Sequence, residues 1–513
     1  MPYACVMHDD MRRVLLCTTM ALAAAGCSVG PDYRPPAAAE LAVPSGYSVR
    51  AAPTPEDLTR WWQRFDDPVL GQLVEQASAA NTDVAQAVAR LRQAREALVQ
   101  SRADLLPTLS GNTGYSRSET LRGGGQTITL PDGTVQNIGG GGGANNFSVG
   151  GSASYQLGLF GEVRRTIEAS RAQYEASGFD YAAALLTVQQ ETARNYILAR
   201  LYQQQLANAR ASLALQEDNL EIAGFRLQAG LVSSLDQEQA RQQRAQTAAT
   251  IPTLEQQYNA AVSRLGVLTA QAPGALKPLL AEVRAIPTGT PPAGIGIPAD
   301  VLRQRPDVRG AERALAAATA QIGVAQAALY PNFTFSGNIN ARANTVGSLL
   351  DTVTGGLFAG LTQAIFNGGR LRSQVRGQEA AADAALAAYK GTVLTALEDV
   401  ENAVVALDTA DRRERELAVA YEAAGNAALL SREQYRSGLS DFTTLSQQEA
   451  TLLTTRNSAA QARADEATAL VQLFAALGGG WDSTTVPTAP PRVAPAPTLA
   501  QPAPMPAPTD GNP

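Results

Sequence analysis

Cysteine and histidine are almost absent from this chain of 513 residues. Its three cysteines are Cys5, Cys17 and Cys27, and its single histidine is His8. A chain cut before Cys27 would keep no histidine, no pair of thiols and no disulfide. Zinc sites of the histidine/cysteine type, serine–histidine triads and cysteine–histidine nucleophiles are then excluded. The carboxylates form no recognisable catalytic pair, so we expect neither an enzyme nor a cofactor.

Lysine is also scarce, and it occurs at Lys277 and Lys390. The formal net charge of −6 is small for this length, and the arginines are scattered over predicted helices rather than clustered. A nucleic-acid site normally needs a basic patch with interleaved aromatic residues. No such patch occurs, so we expect no nucleic-acid partner.

A leader segment is predicted over residues 1–26. Two arginines precede an apolar stretch, residues 14–25, that is too short to span a bilayer. The run Leu22-Ala23-Ala24-Ala25-Gly26-Cys27 resembles a bacterial lipoprotein processing site. The resemblance implies a covalent lipid on Cys27 and, because Ser28 follows the cysteine, sorting to the outer membrane. The alternative is ordinary secretion with an incidental cysteine.

The strongest pattern is a proline-free helical run over residues 370–436, on the order of 100 Å of α-helix. Apolar side chains recur at three- and four-residue steps, which predicts one stripe packed against partner helices. A reversal at Gly438 and Leu439 follows, and a second helix is predicted over residues 442–477. Such a long helix indicates one half of a coiled-coil hairpin.

The same design occurs earlier in the chain, which predicts an internal duplication. Residues 164–228 form another long helical pattern, a tip follows at Gly230 and Leu231, and the chain returns over residues 235–268. Glycine suits both tips because it adopts a left-handed backbone without steric strain. We expect Pro252 to break the returning helix into two shorter helices.

Each copy predicts a helix and two strands ahead of its hairpin. The predicted helices cover residues 68–104 and about 306–329, and the strands lie near 109–115, 146–159, 333–341 and 355–366. Apolar and polar side chains alternate along the strands, which predicts one apolar and one wet face. The glycine-rich residues 123–143 between the first two strands are predicted to be an exposed surface loop.

These elements predict a mixed α and β membrane protein in six segments. The segments are a signal peptide (1–26), an acylated extended arm (27–60), a first repeat (61–272), an equatorial linker (273–297), a second repeat (298–480) and a disordered Pro/Ala-rich tail (481–513). Four strands cannot close a barrel, since about eight are needed for the smallest one. Lipid cannot satisfy open sheet edges, so three chains are expected to share one twelve-stranded β-barrel above a helical tube.

As an ordered set, these motifs resemble the outer-membrane factor family, the TolC/OprM-like exit ducts. The similarity covers residues 33–481. It rests on residues 61–70 and 298–313, on the Leu-Pro and Tyr-Pro pairs that precede the first strand of each repeat (106–107 and 330–331), and on the two glycine-centred tips. It is greatest to the lipoprotein branch that serves resistance-nodulation-division (RND) efflux pumps. The resemblance implies a homotrimer in the outer membrane, a periplasmic adaptor at its tip and an inner-membrane RND-type pump that feeds it. The implied function is passive conduction of drugs or other small solutes.

The resemblance also places a gate at the helical tips. It implies a periplasmic aperture formed by Asp236, Tyr435 and Asp441, with Tyr435 in a closed-state latch. It implies adaptor contacts at Gly230, Leu231, Gly438 and Leu439. At positions where some members carry further acids, this chain has Thr444 and Gln447. Helix capping is the alternative role for both carboxylates, and packing is the alternative role for the tyrosine.

Two rival functions remain open from the sequence alone. One is the exit channel of a protein secretion system, and the other is a periplasmic coiled-coil scaffold without a pore. The alternating strands count against the scaffold, because it has no need for apolar faces turned to lipid. Nothing in the sequence identifies a substrate.

Overall fold

The computed structural model describes residues 28–47, 57–119, 126–138, 144–292, 294 and 298–488. The predicted signal peptide, Cys27 and most of the predicted tail therefore lie outside the described residues. The elements of the first half, in chain order, are a 3₁₀ helix (Trp61–Phe65), α1 (Pro68–Ala80), α2 (Thr82–Ala103), β1 (Thr108–Ser118), β2 (Gln126–Thr129), β3 (Val135–Ile138), β4 (Ala144–Leu157), α3 (Glu162–Gln228), α4 (Ser234–Leu268) and the one-turn α5 (Lys277–Leu280). Those of the second half are α6 (Pro298–Gln304), α7 (Pro306–Ala327), β5 (Asn332–Ala343), a 3₁₀ turn (Val346–Ser348), β6 (Val353–Thr362), α8 (Arg370–Arg436) and α9 (Phe442–Ala476).

The two halves repeat the order of a helix, two long strands and a hairpin of two long helices, which confirms the predicted duplication. Helices α2 and α7 each contain 22 residues, α3 and α8 each contain 67, and α4 and α9 each contain 35. At 1.5 Å per residue, α3 and α8 are each about 100 Å long. Each long helix begins after a glycine with a left-handed backbone, Gly161 and Gly369. The hairpins are therefore rods of equal length.

Helix α3 is the structural centre of the chain. It packs against its hairpin partner α4, against α2 and α7 on the strand side, and against α9 of the other hairpin. The largest buried cluster lies where the shorter segments cross these rods, and Trp61 is its centre at 1% exposure. The indole stacks on Phe474 with 5.6 Å between ring centroids and meets Phe65 edge to face. This cluster ties the 3₁₀ helix to α3, α4 and α9.

The four long strands form one antiparallel sheet in the order β1-β4-β5-β6. The strand register places apolar residues opposite one another: Tyr155 pairs with Phe335, and Phe335 pairs with Ala359. Every second row therefore places apolar side chains on one face, while Ser110 and Ser152, from a row in between, share a 2.8 Å hydrogen bond on the other. The apolar face is uncovered within the chain: Leu109 is 84% exposed and Leu357 is 93% exposed. Strands β1 and β6 each pair on one side only among the described residues.

Asn81 divides the helix that was predicted over residues 68–104, and that prediction was wrong. The asparagine ends α1 and caps α2, because its Oδ1 accepts from the amides of Asp83 (2.7 Å) and Val84 (3.3 Å). Its buried Nδ2 donates to the Leu268 carbonyl at the end of α4 (2.9 Å). Asparagine competes with the helix for backbone hydrogen bonds and is among the best N-caps. The break therefore also fastens the end of the first hairpin.

Pro252 does not break the returning helix, so that prediction was also wrong. Helix α4 runs unbroken through the proline. An interior proline removes one helical hydrogen bond and costs about 3 kcal/mol in isolation. Here α4 packs along α3, with Thr247 and Val262 buried on either side of the proline. Tertiary packing offsets the local penalty.

The glycine-rich loop contains a feature that the sequence prediction lacked. Strands β2 and β3 pair as a separate two-stranded hairpin, from Gln126 opposite Ile138 to Thr129 opposite Val135. An Asp-Gly turn joins them, and Gly133 there has φ +81°. Asp-Gly between alternating residues is a strong hairpin signal. The last strand of the main sheet is also shifted: β6 covers Val353–Thr362 instead of residues 355–366.

Candidate functional site at the helical tips

Both hairpins end in the same backbone motif. In the first tip, the Gly230 amide donates to the Leu227 carbonyl (3.0 Å), and the Leu231 amide donates to the carbonyl five residues earlier (2.9 Å). The second tip makes the same two bonds from Gly438 and Leu439, at 3.1 and 2.8 Å. The two glycines have φ +71° and +77°, which a side chain would strain. These are Schellman endings, and they explain the glycine at each reversal.

The residue after each glycine is an uncovered leucine. Leu231 is 73% exposed and Leu439 is 81% exposed. Leu235 and Phe225 beside the first tip are exposed as well. The adaptor contact implied for Gly230, Leu231, Gly438 and Leu439 stays a prediction, and these four residues lie together at the outermost turns of the two hairpins.

The two candidate aperture carboxylates have different local roles. Asp441 is the N-cap of α9 and accepts a 2.6 Å bond from the Thr444 amide, which lowers the pKa of this carboxyl. Asp236 lies in the first turn of α4, whose N-cap residue, Ser233, makes no side-chain bond to the helix. Burial raises the pKa of the Tyr435 phenol, Arg226 opposes that rise, and the negative charge of Asp236 adds to it. Capping therefore accounts for Asp441 but not for Asp236.

Tyr435 lies inside the tip, in a small apolar cluster drawn from all four long helices. The residue is 2% exposed, and its ring meets Phe442 edge to face at 5.8 Å. The Arg226 guanidinium stacks over the same ring, 4.4 Å from the centroid. Within the described part of the chain, the Tyr435 hydroxyl is buried without a hydrogen-bond partner. Packing thus explains the ring but not the hydroxyl.

Arg226 joins the first hairpin to the end of the second. Its Nη2 donates to the carbonyl of Tyr435 (2.8 Å) and to that of Arg436 (3.1 Å), the last two residues of α8. The last carbonyls of a helix have no partner inside it, and a cation is favourable at this end of the helix dipole. One side chain therefore caps the neighbouring hairpin from outside.

A second contact between the hairpins lies about two turns above the first. Glu449 of α9 is 5% exposed. One carboxylate oxygen accepts from Arg432 of α8 (3.0 Å), and the other accepts from the Asn219 Nδ2 of α3 (2.8 Å). Higher still, the Asn208 side chain donates to Asn457 (2.9 Å). The two asparagine bonds run along the seam between α3 and α9, whereas the Arg432 pair lies within the second hairpin.

Sequence reasoning missed Arg226, Asn219, Arg432 and Glu449. A signal was present, since each polar side chain occupies a position where the helical period predicts an apolar one facing a neighbour. Charged groups are rarely buried unless they are paired. The pairings between the hairpins, however, join residues more than 200 positions apart, as in the bond from Asn219 to Glu449 at a separation of 230, whereas Arg432 and Glu449 are separated by 17.

Two features are absent from the ranges of the chain that the structure describes. No helix there is long and apolar enough to cross a membrane. No group of histidine, cysteine, aspartate and glutamate side chains in the same ranges could hold a metal ion.

A sheet with an uncovered apolar face, joined to paired rods of about 100 Å, defines a class of protein. It is the channel class in which an outer-membrane β-barrel continues into a periplasmic α-helical barrel. The chain belongs to the outer membrane efflux protein family, whose family model matches residues 73–271 and 297–479. It is thus an outer-membrane efflux channel that extends into the periplasm, and the predicted fold class and function are confirmed.

Curated relatives and solved structures agree with this assignment. The chain is 33% identical over 445 residues to the pyoverdine export outer membrane protein OpmQ of Pseudomonas aeruginosa, covering 86% of this chain and 92% of OpmQ. It is 32% identical over 461 residues to nodulation protein T of Rhizobium leguminosarum bv. trifolii, covering 89% and 95%. The outer-membrane channel OprN matches with a TM-score of 0.77 at 32% identity, covering 89% of this chain and all of that one. The open-state channel MtrE of Neisseria gonorrhoeae matches at 0.74 and 25%, covering 89% and 99%.

Proposed function

We propose that three copies of the chain assemble around one axis into a passive exit duct. Each copy supplies four strands, so three copies supply the twelve strands of one closed barrel. The six hairpins form the periplasmic tube beneath it. The duct performs no catalytic step and needs no cofactor, because the energy for transport comes from an inner-membrane RND-type pump that docks through a periplasmic adaptor.

The observation that carries this proposal is the open-edged sheet. Its apolar face is suited to lipid, yet the outer sides of β1 and β6 carry backbone groups that no other strand pairs with among the described residues. A bilayer cannot satisfy such groups, so a stable sheet must close on further copies. Helix α8 supports the same conclusion, because Val419 and Leu430 are 65% and 63% exposed along its outer face. Both surfaces require neighbours.

The test uses the full chain extracted in mild detergent. We expect the mass of a trimer and, after insertion into a planar bilayer, stepwise ion conductance. A monomer without conductance would instead favour a scaffold without a pore. The third outcome is a conducting trimer whose gene is needed for secretion of an unfolded protein but not for the tolerance of cells to solutes. That outcome would favour the exit channel of a secretion system.

The gate in this proposal is the tip. Three copies of Asp236 around the axis form an acidic ring, with Asp441 and Tyr435 nearby, and like charges at close range repel one another and attract cations. Adaptor and pump open the ring by binding the splayed tips more tightly than the resting ones. The exposed Leu231 and Leu439 give the adaptor an apolar contact at each tip.

Neutralising this ring should change ion selectivity. Asp236→Asn removes three charges per trimer, so we expect the cation-to-anion permeability ratio to fall at least twofold. Reversal potentials in a salt gradient measure that ratio. Glu238→Gln is the matched control, because Glu238 is exposed two residues away and pairs with Arg241 at 3.8 Å. Equal permeability ratios in both variants would show that Asp236 does not line the aperture.

The anchor in this proposal is a lipid on Cys27 that holds the duct to the outer membrane. The cargo is proposed to be small solutes taken from the periplasm. Two relatives carry names of this kind, pyoverdine export for OpmQ and toluene efflux for TtgF of Pseudomonas putida. Deleting the gene and screening antibiotics, dyes, solvents and iron chelators would identify the cargo.

A further inference from the structure

The four long strands of the described chain carry two charged side chains. Arg117 lies near the end of β1, and Arg342 lies near the end of β5. Both are at the end of the sheet that is farthest from the long helices, because α3 and α8 follow the opposite ends of β4 and β6. The end that joins the helices is periplasmic, so the two arginines lie at the outer end of the sheet.

The register places these two arginines on opposite faces of the sheet. Arg342 lies opposite Ser148, in a row of the wet face. Arg117 lies two residues after Tyr115 and therefore shares the apolar face with it. The other paired positions of the wet face are uncharged in the described strands, and most are serine, threonine, asparagine or glycine. Arg342 is thus a lone charge on the surface that a closed barrel would turn to its lumen.

The two arginines also differ in their partners. Arg117 has a counter-charge, because its Nη2 donates to the Glu119 carboxylate at 2.6 Å. Arg342 is exposed, and its guanidinium has no hydrogen bond or ion pair with any other described residue, including Asp351 in the connection that follows β5. A guanidinium presents its donors in a planar fork that matches carboxylate and phosphate groups. Those donors are free in Arg342 as far as the described chain is concerned.

The duplication supplies this charge in one repeat only. Pro107 and Pro331 precede the first strand of their repeats, and Arg342 lies 11 residues after Pro331. The residue 11 positions after Pro107 is Ser118, which also belongs to the wet face. Three copies of the chain would therefore place three arginines around the axis, one for every four strands.

The size of the proposed barrel brings these arginines close to anything on its axis. Twelve strands that are about 4.8 Å apart and tilted by about 40° enclose a barrel of roughly 12 Å radius. Ser148 and Asn340, beside Arg342 on the same face, are shorter, so the arginine extends further inwards than they do. A solute on the axis then passes all three guanidiniums within about one Debye length, roughly 8 Å at physiological salt. Rings of arginine or lysine are the usual basis of anion selectivity in pores.

We propose that Arg342 forms a cationic ring at the outer mouth of the duct, and that this ring binds the carboxylate or phosphate groups of soluble anions. The ring rests on the trimer proposed above, because three copies share it and no single chain contains the complete site. It raises the local concentration of anionic solutes at the mouth and repels cations that approach from outside. Its charge is opposite to that of the acidic ring proposed at the tip.

The test is a calorimetric titration of the full chain with inositol hexakisphosphate, in mild detergent and at low salt. We expect one molecule to bind per three chains, because its phosphates can contact all three arginines at once. Arg342→Gln should weaken this binding at least tenfold, whereas Arg342→Lys keeps the charge and should stay within about threefold of wild type. Arg117→Gln is the matched control, since Arg117 lies at the same end of the sheet but on the apolar face, and it should stay within twofold.

The outcomes distinguish the ring from the duct. Arg342 is exposed, so Arg342→Gln should keep the mass and the thermal stability of wild type. If a trimer of Arg342→Gln binds the probe as tightly as wild type, the ring is refuted, while conductance of that trimer still supports the duct. If Arg117→Gln weakens binding instead, the anion site belongs to lipid headgroups on the outer surface, and the ring is again refuted. A monomeric mass of the wild type would refute the proposed trimer itself.

Discussion

Replacing Glu449 by leucine is expected to open the tip, with at least a tenfold rise in open probability. The change leaves the Arg432 guanidinium, 18% exposed, without its counter-charge, and it leaves the Asn219 amide without an acceptor. Removing one partner of a buried ion pair costs about 3–5 kcal/mol. The Arg432 pair lies within the second hairpin, so the bond lost specifically from the state in which the hairpins touch is the one from Asn219, a hydrogen bond to a charged group that contributes about 1.5–3 kcal/mol. Single-channel recording in planar bilayers measures the open probability.

The control for Glu449→Leu is Glu433→Leu on the same hairpin. Glu433 also pairs with an arginine, Arg436 at 3.2 Å, but both side chains are more than half exposed. Exposed pairs contribute about 0–1 kcal/mol, so the control should stay within twofold of wild type. Removing both Glu449 and Arg432 should restore part of the closed state, because no unpaired buried charge remains. Equal open probability in Glu449→Leu and Glu433→Leu would contradict a seam that holds the tip closed.

Replacing Arg226 by methionine should also open the tip and should admit large hydrophilic dyes into cells. The variant loses two bonds to the last carbonyls of α8 and the stacking on Tyr435. A hydrogen bond to a charged group contributes about 1.5–3 kcal/mol, and a cation–π contact adds about 0.5–2 kcal/mol. Since 1.4 kcal/mol is about a factor of ten in an equilibrium constant, we expect the equilibrium between closed and open tips to shift roughly thirtyfold or more towards the open state. Dye uptake and open probability should rise together.

Two comparisons distinguish the loss of the Arg226 contacts from a general loss of positive charge. Arg241→Met removes an arginine of the same hairpin whose side chain is 73% exposed, and dye uptake should not change. Tyr435→Phe removes only a hydroxyl that has no partner in the described chain, so this variant should close as well as wild type. Opening by Tyr435→Phe would mean that the hydroxyl bonds to a neighbouring copy. In that case the latch would lie between copies and not within one chain.

Local pattern predicted the helices with little error, because helical periodicity is a property of consecutive residues. The limits of α8, from Arg370 to Arg436, agree with the sequence prediction at both ends. Where the prediction failed, the decisive interaction was distant. Asn81 ends a helix partly because its amide reaches Leu268, 187 residues away, and Pro252 stays helical because α4 packs along α3.

The tip was predicted only in part, because some of its features are local and others depend on distant residues. Its glycines and leucines follow from turn chemistry, and the structure places all four at the tips. The capping bond of Asp441 was also foreseeable, as an aspartate just before a helix. The side chains that join the hairpins were not foreseeable, because Arg226 and Glu449 meet their partners only after two rods of equal length lie side by side.

By itself the sequence determined the duplication, the four alternating strands and the two hairpins, since all of these depend on spacing along one chain, and its motifs carried the resemblance to the efflux family. Only the tertiary structure decided which charged side chains are buried and with what. It set Glu449 between Arg432 and Asn219, and it brought Arg226 to the last two carbonyls of α8. Burial is a relation between surfaces, and no run of neighbouring residues specifies which surfaces meet.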